Sequence, residues 1–77
     1  MYLADAANLM TPAYLTILAK GYTVREVQGL MWATRGADSF VAEGPVALLG
    51  TIVVGEMRGD DWAATDNEIE DFVVRFG

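Results

Sequence analysis

Between Glu43 and Glu56 stand twelve consecutive uncharged residues, Gly44 to Gly55, and only Thr51 among them has a polar side chain. A helix that is apolar nearly all round must be buried on nearly all sides. A chain of 77 residues has little protein with which to do this. Either the rest of the fold wraps the segment closely, or a second chain covers one of its faces.

Size sharpens this constraint. A chain of this length forms one domain, residues 1–77, and buries only about 60–65 % of its unfolded surface. It has no cysteine, so no disulfide adds stability and thiolate metal sites and thiol redox chemistry are excluded. It has no histidine, which removes His-activated nucleophiles, histidine metal clusters and the histidine pH switch. The apolar run is shorter than the roughly 20 residues that cross a bilayer. The start, Met1-Tyr2-Leu3-Ala4-Asp5, has no basic region of a secretory signal, and a cytoplasmic location is expected. A hydrophobic fraction of 53 % argues for a packed chain over a disordered one.

Charge is unevenly placed. The net charge is −6, and residues 60–77 hold Asp60, Asp61, Asp66, Glu68, Glu70 and Asp71 against Arg75 alone. Nucleic-acid binding needs a Lys/Arg surface and is not expected. A basic protein partner is compatible with the acidic end.

Local signals divide the chain into six elements. Thr11-Pro12 reads as an N-cap followed by the first helical position, opening a helix over about Pro12 to Lys20. Gly21 followed by Tyr22 reads as a Schellman stop. Tyr22–Gln28 is rich in β-formers, although Glu26 interrupts its alternation, and Gly29 breaks the run. Leu30–Arg35 and Ser39–Glu43 follow as strands around the turn Arg35-Gly36-Ala37-Asp38. Such short connections imply an antiparallel meander, one face packed on helices and the other carrying Arg25 and Arg35.

Gly44-Pro45 opens a second helix that stops at Arg58-Gly59. Val46, Leu49, Val53 and Met57 form one stripe of it, and Leu48 and Ile52 a neighbouring one. Gly50 and Gly55 each cost about 1 kcal/mol in a helix, which predicts a close approach by the backbone of another element. Thr65-Asp66-Asn67-Glu68 fits a capping box. Ile69, Phe72, Val73 and Phe76 then recur at i, i+3, i+4 and i+7, and the helix they define is expected to pack on the second helix and the sheet. The fold class is α+β: a three-stranded antiparallel sheet against helices, in the order α-β-β-β-α-α. Residues Pro45–Trp62 resemble a compact helix–turn motif of small bacterial proteins.

No motif for catalysis stands out. Asp66 and Glu70 lie one turn apart, but acids in a first helical turn stabilise the helix dipole, and no loop supplies the 6–8 oxygens of a calcium site. No metal and no cofactor are expected. Glu56 is expected to reach solvent or pair with Arg25, Arg35 or Arg58, and Thr51 to bond the Ala47 carbonyl from within the core. Trp32 reads as core. Trp62 reads as core over interface by about two to one, from the intermediate burial of tryptophan.

These readings point to a non-enzymatic protein-interaction module that associates with a copy of itself. Leu48, Ile52 and Trp62 are its expected apolar contacts. Asp60, Asp61, Asp66, Glu70 and Asp71 form an expected acidic recognition face, suited to a basic partner such as the target of an immunity-type inhibitor. The alternative is a domain that binds a small apolar ligand between the second helix and the sheet, in a pocket lined by Trp32, Phe40 and Val53.

Overall fold

The computed structural model describes residues 1–77 and shows the α+β order expected. A short 3-10 turn, Ala7–Leu9, leads into helix α1, Met10–Ala19. The helix starts two residues before the position that Thr11-Pro12 implies, with Leu9 at the N-cap and no capping side chain. Pro12 is tolerated at the third helical position because the first four N–H groups of a helix have no acceptor to lose. The stop is the expected one. Gly21 takes φ 92°, its N–H donates to the Leu18 carbonyl at 2.9 Å, and the Tyr22 N–H donates to that of Ile17 at 3.4 Å. This doubled bond is the Schellman pattern.

Strands β1 (Thr23–Val27), β2 (Leu30–Arg35) and β3 (Asp38–Ala42) form one antiparallel sheet in sequence order. The first hairpin turns through Gln28 and Gly29, with φ of 53° and 81°, as a type I′ connection requires. The second turns through Gly36-Ala37, with a positive φ of 59° at Gly36 alone. Side chains alternate across the sheet. The cross-strand row Val24–Ala33–Phe40 faces the helices, and the row Arg25–Trp32–Val41 faces away from them.

Helix α2, Pro45–Arg58, begins at Gly44 as N-cap with proline first, and ends at Gly59, φ 64°. It packs against α1 and the inner face of the sheet. Ile17, Tyr22, Ala33, Leu48 and Ile52 form the core, with Val24, Met31, Phe40, Ala42 and Leu49 around it. The buried stripe of α2 is thus Pro45, Leu48 and Ile52. The other stripe divides: Val46 and Leu49 are half-buried, whereas Val53 is exposed and Met57 is 81 % exposed. Of the two ways to bury α2, close wrapping by the rest of the fold is not the one seen, because its two neighbours cover only one side of it.

Helix α3, Asp66–Phe76, is set by its own sequence. The Thr65 hydroxyl accepts from the Glu68 N–H at 3.2 Å, and a Glu68 carboxylate oxygen accepts from the Thr65 N–H at 2.8 Å, completing the capping box. Its destination is not the expected one. α3 does not pack on α2 or the sheet, and none of its residues is buried. Every residue from Met57 to Gly77 is exposed. The accessible surface, 6045 Å², compares with about 4,600 Å² for a folded monomer of this mass. The radius of gyration, 14.3 Å, compares with about 11–12 Å for a compact chain of this length.

Candidate functional site

Three features outside the core bear on function: a polar cluster around Glu56, the free helix α3, and the outer face of the sheet.

Glu56, on the last turn of α2, joins three other parts of the fold. Lys20, at the end of α1, places Nζ 2.7 Å from Oε1. The Tyr22 hydroxyl donates to Oε2 at 3.0 Å, and an Arg35 guanidinium nitrogen lies 3.4 Å from the same oxygen. Arg35 also donates to the Lys20 carbonyl at 2.7 Å and stacks over the Tyr22 ring at 4.4 Å. Arg35 therefore belongs to the helix-facing side and not to the outer face, because this cluster holds it. The Lys20 hydrogen bond leads in holding the Glu56 carboxyl below its usual range, against partial burial, with Tyr22 and Arg35 adding to it. Burial leads in raising the Tyr22 hydroxyl, and the bond to Glu56 adds to it. No buried side-chain polar atom lacks a partner. With its polar atoms turned on one another, the cluster works as a clasp between α1, β2 and α2.

The apolar stripe of α3 is open along its length. Ile69, Phe72, Val73 and Phe76 are 51–76 % exposed. Phe72 and Phe76 touch each other, with ring centroids 5.4 Å apart. Helical spacing sets Asp66 and Glu70 along one flank of the stripe and turns Asp71 to the far side, where it pairs with Arg75 at 3.0 Å. Asp60 and Asp61 lie in the 3-10 turn Gly59–Asp61. The five acids of the expected recognition face are thus spread over a turn and two sides of a helix. Nowhere do three acidic side chains come close enough to hold one cation.

The expected apolar contacts separate. Leu48 and Ile52 are 0 % exposed, so neither offers surface to a second chain. They are removed from the interface because their stripe is the one that meets α1 and the sheet. Trp62 is 61 % exposed and lines an open apolar depression of about 290 Å³ with Thr51, Val54 and Gly55. It is not a core side chain. Thr51 makes its expected bond to the Ala47 carbonyl at 2.8 Å, but from an exposed position.

The alternative pocket is not formed. Trp32 and Phe40 lie on opposite faces of the sheet, since adjacent cross-strand rows alternate. Phe40 fills the space under α2 instead, edge-on to Tyr22 with centroids 5.9 Å apart, and Val53 faces solvent. Trp32 sits half-buried on the outer face beneath the Arg25 guanidinium, 5.6 Å from the ring centroid.

The sequence expectations for Glu56 do not include Lys20. Its signal was available, because a basic residue just before a helix-stopping glycine is fixed in place by that stop. The freedom of α3 had no signal in the sequence. Comparison of the chain with protein-family models, with curated proteins and with solved structures finds no match.

Proposed function

We propose that this chain is a non-enzymatic protein-interaction module that works through α3, and that its first partner is a second copy of itself. The observation that carries this reading is an amphipathic helix, closed by its own capping box, whose whole apolar stripe faces solvent. Patches of this kind on a folded chain mark interaction sites. The surface in excess of a compact monomer is about 1,400 Å², and a standard interface takes about 800 Å² from each partner. Absence of histidine and cysteine, and a polar cluster closed on itself, favour binding over catalysis.

Absolute mass by light scattering over a range of protein concentrations tests this. Association that is lost in Phe72→Asp supports the reading. A monomer at every concentration sinks it for self-association. Salt-sensitive capture of a basic protein by that monomer then moves α3 and its acids to a different partner.

A further inference from the structure

The outer face of the sheet is divided along its strands. Thr23, Thr34 and Ser39 form a polar row at one end. Arg25, Trp32 and Val41 form the next row on that face, and Val27 and Leu30 pair beyond it. Val27, Leu30 and Val41 are each 39 % exposed, and no helix covers them. Arg25, the single cation on this apolar half, is in contact with no carboxylate, its guanidinium resting on the Trp32 ring.

Helix α3 has the complementary features. Its stripe is flanked by Asp66 and Glu70, neither of which is in an ion pair. Its 11 residues span about 16 Å, and the six residues of β2 span about 20 Å. Resting on the proposal that α3 is the docking element, we infer that the outer sheet face is the seat for α3 of a second copy. Phe72 and Phe76 cover Trp32 and its apolar neighbours, and Arg25 meets Asp66 and Glu70 of the incoming helix.

The chain's own α3 does not occupy this seat. It follows α2, which packs on the inner face, and none of its residues is buried. A second copy supplies the helix that the seat lacks. In a two-fold pair each chain gives one helix and receives one, so the contact is made twice. A helix stripe on a sheet face, taken twice, reaches about the 1,200 Å² at which specific interfaces begin.

The test is a charge swap read by sedimentation equilibrium at low salt. Arg25→Glu and Glu70→Arg are each expected to weaken self-association about tenfold or more, because each sets like charges together. The double variant is expected to return to within about threefold of the parent. Both positions are exposed, and circular dichroism checks that each variant is folded. In Trp62→Phe, which leaves Trp32 as the one tryptophan, emission is expected to shift to shorter wavelength as concentration rises. If Phe72→Asp abolishes association but both charge variants leave it unchanged and Trp32 emission stays constant, the seat is elsewhere and only self-association survives. A parent chain that is monomeric throughout overturns both.

Discussion

The Phe40 ring lies against the α-carbon of Gly55 so closely that a β-carbon there would stand 2.9 Å from Cζ, with Cε1 closer still. The glycine in α2 is thus the socket for a side chain from β3, and through it the helix sits low on the sheet. A β-carbon at Gly50, about one and a half turns earlier, would meet nothing within 4 Å. Two glycines with equal helix cost have opposite roles.

Alanine substitution separates them. Gly55→Ala gains about 1 kcal/mol of helix propensity and loses about 1–3 kcal/mol to overpacking, so a net loss of up to about 2 kcal/mol is expected. Gly50→Ala is expected to stabilise by about 0.5–1 kcal/mol. Urea denaturation of the two variants checks both signs. Phe40→Leu added to Gly55→Ala is expected to cost less than the sum of the two changes, because the leucine leaves room for the methyl.

Acid is expected to loosen the clasp at Glu56. Its carboxyl is held below its usual range, chiefly by the Lys20 hydrogen bond. Stability from a depressed carboxylate is fully present above the unfolded value, about pH 5 and up, and is lost as the pH falls below about 4. Glu56→Gln is expected to flatten that part of the stability–pH curve. The Tyr22 hydroxyl is raised, first by burial, so its contribution is present below about pH 10 and lost above it. Tyr22→Phe is expected to remove the alkaline slope. Thermal midpoints of the parent and both variants across the pH range read both effects, and equal slopes in all three would count against the clasp.

The capping box is expected to govern α3 alone. Thr65→Ala costs about 1 kcal/mol of helix stability, and an isolated helix of 11 residues is marginal to begin with. In the monomer, far-ultraviolet circular dichroism is expected to fall while the thermal midpoint of the core barely moves. Glu68 is also held low, first by the Thr65 backbone N–H, so the same loss of helicity is expected as the pH drops through the carboxylate range. A midpoint that falls in step with the helicity would mean that α3 is docked on the core.

Cutting the chain after Ala64 is expected to leave a cooperative unfolding transition, with a midpoint within a few degrees of the monomeric parent, and to abolish self-association. The seven buried residues all precede the cut. Calorimetry and light scattering on the shortened chain check the two halves of this expectation.

What the sequence made legible was the chemistry carried by neighbouring residues. The Gly21 stop, the Gly36-Ala37 turn, the Gly44-Pro45 opening and the Thr65–Glu68 box each depend on groups a few positions apart, and each stands as expected. Thr11-Pro12 misled because proline fits anywhere in a first turn. The side of α2 that turns inward was not legible, since two neighbouring apolar stripes give periodicity nothing to choose between. Hence the expectation of Leu48 and Ile52 as interface residues fails, and both belong to the core. Trp32 was misplaced because Glu26 interrupts the alternation of β1, on which the sidedness of the sheet had to rest. In α3 the stripe was legible and its cover was not, because amphipathicity demands burial without naming the chain that provides it.

The buried residues run from Ala13 to Ile52 and stop there. The body of this molecule therefore closes on its own residues, with α3 contributing nothing to its core. On the proposed reading, what α3 grips is met by a folded molecule in free diffusion, so the number of copies present would decide how often that grip is taken.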